Sequence, residues 1–164
     1  MTRALVSALL GALGWTFLEY VIHRWMGHDR RLRWTPFGKE HLRHHVEGGY
    51  FAPAWKKLVA AAVTSTLLSG PAILLAGAPS GLAFVAGLMA MYGAYEVLHR
   101  LEHVREGMGA YGRWARRHHF THHYVDARCN HGVTSPLWDL VFGTYRRPPE
   151  EITVPARLRA KVPS

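Results

Sequence analysis

Long apolar segments alternate with short basic segments along this chain. The first apolar segment, residues 4–22, is interrupted only by Ser7, Thr16 and Glu19. A helix of this length rises about 28 Å, close to the hydrocarbon thickness of a bilayer. Because residues 11–22 offer no convincing small-x-small cleavage site, the pattern predicts a retained transmembrane helix rather than a signal peptide.

The longest apolar segment, residues 58–95, contains no Asp, Glu, Lys or Arg. Its 38 residues are about twice the length of one membrane span. Gly77–Gly81, with Pro79 inside it, is typical of a turn and lies at the centre of the segment. The pattern therefore predicts a hairpin of two transmembrane helices, over residues 55–76 and 82–99.

Three shorter helices are predicted in the polar segments, over residues 38–46, 106–124 and 136–142. The first follows the Thr35-Pro36 break, and the last is expected to end at Gly143. Small residues also recur at helical spacing on the third span, where we expect close helix packing. These residues are Ala86, Ala90 and Ala94.

The charge distribution predicts how the chain is oriented in a membrane. The net charge of +9 is compatible with nucleic acid or an anionic membrane surface, and the long uncharged segments favour the membrane, with no nucleic acid partner. Residues 24–57 hold eight Lys and Arg, the segment from residue 100 onward holds eleven, and the central turn holds none. The positive-inside tendency therefore predicts a cytoplasmic location for residues 23–54 and 99–147, with the N-terminus outside.

These patterns together predict an all-α fold for the chain. We expect an integral membrane helical bundle with about three transmembrane helices and a cytoplasmic histidine-rich helical cap. Residues 1–164 are expected to form a single domain. Cys129 is the only cysteine, which excludes an intrachain disulfide and a zinc finger made of cysteines.

Eleven of the twelve histidines fall in four short clusters. Residues at i, i+3 and i+4 share one helix face, so three of these clusters can each direct their imidazoles to one point. The three clusters are His41/His44/His45, His99/His103 and His119/His122/His123. The fourth pair, His23 and His28, is five residues apart and needs a helix end or a local distortion to converge.

Imidazole is the commonest metal ligand near neutral pH, and clusters at ligand spacing favour a metal site over surface or core histidines. Ten ring nitrogens exceed what one ion coordinates, because zinc takes about four ligands and octahedral metals about six. The spacing therefore predicts two metal ions.

The clusters read His-Arg-Trp-Met-Gly-His from residue 23, His-Leu-Arg-His-His from residue 41, His-Arg-Leu-Glu-His from residue 99 and His-His-Phe-Thr-His-His from residue 118. Downstream, residues 130–144 read Asn-His-Gly-Val-Thr-Ser-Pro-Leu-Trp-Asp-Leu-Val-Phe-Gly-Thr. In order and spacing, this set resembles the fatty acid hydroxylase/sterol desaturase superfamily, over residues 19–144. Members of that family usually have four spans, whereas three are predicted for this chain.

The resemblance implies a membrane oxygenase with two metal ions at the cytoplasmic face, functionally iron, although zinc can occupy such sites in purified forms. The ligand positions it implies are His23, His28, His41, His44, His45, His99, His103, His119, His122 and His123. The resemblance does not identify a catalytic residue beyond these ligands. Ligating histidines need partners for the other ring nitrogen, and the candidates for supporting them are Glu19, Glu96, His118, His131 and Asp139.

The implied reaction is O2-dependent hydroxylation or desaturation of a lipid, such as a fatty acyl chain or a sterol. The chain has no glycine-rich nucleotide-binding loop and no haem motif, so electrons are expected from outside. A ferredoxin, a cytochrome b5-like protein or a reductase is the implied donor, and the basic face would suit an acidic one.

Three other functions are compatible with parts of the pattern. A carotenoid hydroxylase would use the same metal site on a different lipid. A non-catalytic metal-binding or metal-transport membrane protein would place ligands along a path through the bilayer, which the clusters do not follow. A haem-binding electron carrier would place single histidines inside facing spans, so the clusters argue against it.

Overall fold

The computed structural model describes residues 1–156, which contain six α-helices and no strand. Residues 157–164, counted in the predicted single domain, lie outside the described part. The helices are α1 (Thr2–Val21), α2 (Pro36–Glu47), α3 (Ala54–Ala76), α4 (Ala78–Val104), α5 (Gly109–Tyr124) and α6 (Leu137–Val141), with a π-helical turn over Ile22–Gly27 and a 3-10 turn over Arg30–Leu32. The predicted all-helical architecture is confirmed.

Three helical stretches of the described chain are long and apolar enough to cross a membrane, as predicted. They are Thr2–Gly27, Ala54–Ala76 and Ala78–Val104. No residue of α3 is buried within the protein, although the helix is strongly apolar. An apolar helix that the protein itself leaves uncovered is stable in contact with lipid, which identifies a membrane protein.

The turn between the second and third spans is shorter than predicted. Gly77 alone separates α3 from α4, with a φ of 77° that favours glycine. Pro79 lies in the first turn of α4, where a backbone N–H has no partner within the helix and its loss costs little. The prediction that residues 78–81 belong to a loop is therefore wrong.

The helix predicted over residues 106–124 begins later than expected. α4 continues past the predicted end of the third span to Val104, and α5 starts at Gly109. Gly107 and Gly109 have φ values of 76° and 68°. These values lie outside the helical region, so the chain is not helical between α4 and α5. The extension of α4 keeps His103 on the same helix as His99.

The chain divides into two compact units, the first made of Met1–Phe17 and Ala52–Tyr95. In this unit, helices approach each other at glycines. A Cβ atom on Gly11 would lie 1.9 Å from the carbonyl oxygen of Phe84, and one on Gly87 would lie 2.0 Å from that of Ala8. These contacts need a residue without a side chain.

The predicted alanine stripe of the third span does not make this packing. Ala86, Ala90 and Ala94 are all exposed, so that prediction is wrong. On the packed side, Trp15 is buried and lies 4.6 Å from Tyr92 and 5.5 Å from Tyr95, measured between ring centroids.

The second unit consists of Leu18–Phe51 and the described residues from Glu96 onward, and it holds all twelve histidines. In this unit α2 begins where the side chain of Thr35 accepts a hydrogen bond from Gly38 N–H at 3.0 Å. α2 ends at Gly48, whose φ is 61°. These caps define the helix that carries three of the clustered histidines.

Candidate metal centre

The end of the first span changes from α-helix to π-helix at the first histidine pair. The π-helical turn Ile22–Gly27 contains His23, and His28 follows it directly. A π-helix hydrogen-bonds residues five apart, so it suits the five-residue spacing that an α-helix does not. The two imidazole centroids lie 5.3 Å apart. The local distortion required by the spacing is therefore present.

Five histidines from three elements form the first group. They are His23, His28, His41, His45 and His122. One ring nitrogen from each lies within 4.8 Å of the corresponding nitrogens of the others. The Nε2 atom of His28 lies 2.9 Å from Nε2 of His41 and 2.9 Å from Nε2 of His122. The first group therefore surrounds a single point.

Five further histidines form the second group under the same 4.8 Å limit. They are His44, His99, His103, His119 and His123. Nε2 of His99 lies 3.0 Å from Nε2 of His44, and Nε2 of His103 lies 2.9 Å from Nε2 of His119. All ten histidines predicted as ligands lie in one of the two groups.

The two groups are adjacent because two helices contribute to both. α2 places His41 and His45 in the first group and His44 in the second. The imidazoles of His45 and His123, one from each group, stack with centroids 3.9 Å apart. The arrangement offers two neighbouring sites, which fits a pair of metal ions better than one.

Backbone carbonyls fix the orientation of three of these imidazoles through Nδ1. The pairs are His23 with His131 O at 2.5 Å, His44 with Tyr50 O at 2.6 Å and His122 with Cys129 O at 2.7 Å. A carbonyl oxygen only accepts, so Nδ1 donates and the neutral ring directs its Nε2 lone pair into the group. Buried ring nitrogens that converge in this way need a proton or a cation between them, so the donor set fits metal ions.

Burial keeps the imidazoles in the form that binds metal. Desolvation is the largest effect on His119, His122 and His123, and it lowers the pKa of each well below the ordinary value. Burial likewise lowers the pKa of His28 to about 4. These rings are therefore neutral at physiological pH, with a lone pair available to a metal.

The loop of residues 129–134, which supplies two of these carbonyls, is held by a buried carboxylate on one side. Asp139 accepts hydrogen bonds from the backbone N–H groups of His131 and Gly132, both at 2.8 Å. It also accepts one from the hydroxyl of Thr144 at 2.7 Å. Asp139 is fully buried.

Glu19, also buried, holds the other side of the same loop. Its carboxylate accepts from the N–H groups of Val133 and Thr134 at 2.5 and 2.8 Å, and from the Thr134 hydroxyl at 2.8 Å. Four consecutive backbone N–H groups are therefore bound by two carboxylates, an arrangement we call the carboxylate clamp. Glu19, predicted to support a ligand, thus contacts the loop whose His131 carbonyl accepts a hydrogen bond from His23.

The other residues predicted to support the ligands lie around the two groups. His118 is fully buried between the rings of Trp114 and Tyr145, with Nε2 3.5 Å from a carboxylate oxygen of Asp139. The His131 ring lies 5.1 Å from that of His122, and burial lowers its pKa to about 4. Neither belongs to a group. Glu96 is half-buried on α4, one turn before His99.

The sequence did not identify several residues that shape the site. The carbonyl groups of Tyr50 and Cys129 act through the backbone, which every residue type possesses, so no residue pattern marks them. Asn130 was also not singled out, although it is the one described non-glycine residue with a positive φ, at 55°. Its side chain bonds the backbone of Arg146 in both directions. Asparagine tolerates this conformation, which is the only sequence feature that could have suggested it.

Membrane-length helices and two histidine groups able to hold metal ions define a class of helical membrane proteins with histidine-built metal sites. A family model described as fatty acid hydroxylase matches residues 8–144. The chain belongs to the fatty acid hydroxylase family, which confirms the resemblance stated from the motifs.

Curated relatives and a solved structure agree with this assignment. The chain is 30% identical to a ceramide very long chain fatty acid hydroxylase of Schizosaccharomyces pombe, over 86% of this chain and 42% of that protein. It is 28% identical to a dihydroceramide fatty acyl 2-hydroxylase of Arabidopsis thaliana, over 82% of this chain and 58% of that protein. The chain thus spans about half the length of the curated relatives it matches.

The similar solved structure is described as full-length scs7p with only the hydroxylase domain visible. It aligns with a TM-score of 0.69 at 25% identity, covering 92% of this chain and 59% of that chain. The fold is therefore similar to that of a known hydroxylase domain.

Proposed function

We propose that this protein is an O2-dependent membrane oxygenase that hydroxylates a fatty acyl chain of a lipid. The observation that carries the proposal is the pair of adjacent histidine groups, each with five ring nitrogens within 4.8 Å of one another. The relatives are named as hydroxylases of dihydroceramide fatty acyl chains, ceramide very long chain fatty acids or fatty acids. These names favour an acyl chain over a sterol or carotenoid, and hydroxylation over desaturation.

Each group would hold one metal ion, and iron suits the proposed reaction. Imidazole binds iron and zinc alike, but zinc has no redox chemistry. Iron bound by the ten histidines would supply the O2 activation that an unactivated C–H bond requires.

The protein's own residues would orient and protect this centre. Carbonyl acceptors hold the Nε2 atoms of His23, His44 and His122 toward the metal positions, so the ligands need little rearrangement when a metal binds. His119 and His122 of α5 are buried, which excludes bulk water from this side of the centre.

The proposed orientation places the metal centre at the cytoplasmic membrane face and the N-terminus outside. Lys and Arg concentrate in the two segments that carry the histidines and are absent from residues 77–81. A site at that face would receive a bilayer-dissolved acyl chain from the side. The electrons would come from an external carrier, for which a ferredoxin, a cytochrome b5-like protein or a reductase is suitable.

Lipid mass spectrometry tests the proposal directly. Cells that express the protein should contain fatty acids or ceramides heavier by one oxygen atom, and matched cells without it should not. Loss of two hydrogens instead would assign desaturation. Bound metal in the purified protein without any O2-dependent lipid product would contradict the proposal and favour a metal-binding role.

Chelation is expected to lower the stability of the purified protein. Removing the metal would remove its bonds to the buried ring nitrogens, so the melting temperature should fall and should recover when Fe²⁺ or Zn²⁺ is added. Ligand linkage gives about 4 kcal/mol when free metal is about 1,000-fold above its dissociation constant. Mg²⁺, which prefers oxygen ligands, is the control and should restore nothing. Equal recovery with Mg²⁺ would contradict a histidine-built site.

A further inference from the structure

A groove of about 740 Å³ lies beside α5 within the second unit. Four of its lining residues are arginines: Arg105, Arg113, Arg116 and Arg117. Three of them are spaced i, i+3 and i+4 on α5 and share one face of the helix. His119, His122 and His123 lie on the same helix, about a third of a turn around its axis from the arginine face. α5 therefore presents metal ligands on one side and arginines on another.

The positive charge of this groove is only partly compensated, because two glutamates, Glu106 and Glu150, line it beside the four arginines. Arg116 pairs with Glu106 at 2.9 Å and donates to the carbonyl oxygen of Glu102 at 2.9 Å. Within residues 1–156, the structure gives no ion pair to Arg105, Arg113 or Arg117. Like charges held together raise the local potential and favour association with a negatively charged partner.

The groove is separated from the second histidine group by one aromatic ring. Phe120, which is buried, lines the groove. The Arg116 guanidinium carbon lies 4.5 Å from the centroid of this ring. The His103 ring lies 5.5 Å from Phe120, between centroids. A redox carrier bound in the groove would therefore be very close to the second group.

We propose that this arginine groove is the docking surface for an acidic one-electron carrier protein. The inference rests on the proposed function, since hydroxylation of a C–H bond by O2 consumes two electrons and two protons and releases one water molecule. A reduced iron–sulfur or haem protein would dock twice per turnover and deliver one electron each time. The arginines supply the charge complementarity, and the Phe120–His103 contact supplies the short path.

Direct binding tests the groove without requiring turnover. The purified full chain in phosphatidylcholine nanodiscs, with no chelator added, is titrated with a soluble acidic [2Fe–2S] ferredoxin. Arg113→Gln/Arg117→Gln should raise the dissociation constant about tenfold, as expected for the loss of two exposed ion pairs. The matched control, Arg30→Gln/Arg147→Gln, removes the same charge from exposed positions outside the groove and should bind as the wild type does.

Turnover with two reductants separates this inference from the proposed function. The groove variant should lose most ferredoxin-driven product. It should retain product formation in a single turnover, in which the protein is reduced anaerobically with dithionite, a small reductant that needs no docking surface, and the excess is removed before O2 is added. Absence of product with either reductant in the wild type would contradict the proposed function while leaving the binding result intact.

Two outcomes would overturn the docking surface itself. The first is that ferredoxin binding weakens equally in the groove variant and in the control, which would show that the effect depends on net charge and not on the groove. The second outcome is ferredoxin binding that does not change in the groove variant. If nanodiscs that contain phosphatidylserine also show weaker binding of that lipid to the variant than to the wild type, the groove is assigned to a lipid headgroup.

Discussion

His122→Ala is expected to abolish lipid hydroxylation and to remove one of two bound metal ions. The Nε2 atom of His122 lies 2.9 Å from Nε2 of His28 and 3.3 Å from Nε2 of His45, so it is central to the first group. Product formation should fall by more than about 100-fold, beyond the usual cost of losing a residue that only supports a ligand. Mass spectrometry of products and metal analysis of the purified protein measure the two effects.

His118→Ala is the matched control from the same helix. His118 is buried like His122, but it contacts Asp139 rather than a histidine group. The variant should keep both metals and lose activity only partly, through packing. Full activity in His122→Ala would refute its assignment as a ligand, and an equally complete loss in His118→Ala would mean that the ligand set is wrong. Both variants should still insert into membranes, because neither residue lies in an apolar span.

Much of the candidate site follows from helical spacing alone. His99 and His103 must share a face of any straight helix, and so must His119, His122 and His123. The transmembrane segments follow equally directly, because apolar length depends only on local sequence. These features depend on local sequence and not on tertiary contacts, so they can be predicted from the sequence.

The division of ligands between the groups was not predictable in this way. His44 and His45 are neighbours in sequence, yet the structure places them in different groups. Which ring meets which partner depends on how α2, α4 and α5 lie against each other. The same holds for close helix approach, where the contacts occur at Gly11 and Gly87 rather than along the alanine stripe.

The carboxylate clamp leads to the second large expected effect, from Asp139→Asn. Both carboxylate oxygens of Asp139 accept from backbone N–H groups, one from His131 and one from Gly132. An asparagine has only one acceptor oxygen, so in either orientation its NH2 group opposes an N–H donor. Each lost hydrogen bond to a charged group costs about 1.5–3 kcal/mol, and the loop that orients His23 and His122 should become displaced.

The metal affinity of the first group should therefore fall about 10–100-fold in Asp139→Asn. In metal-buffered solution the bound metal should decrease from two ions toward one, while the second group remains filled. Asp126→Asn is the control, because Asp126 pairs at the surface with the exposed Arg128. Thr144→Val, which removes one bond to Asp139, provides a milder variant if Asp139→Asn does not fold. Two ions bound with wild-type affinity in Asp139→Asn would show that the ligands hold their positions without the clamp.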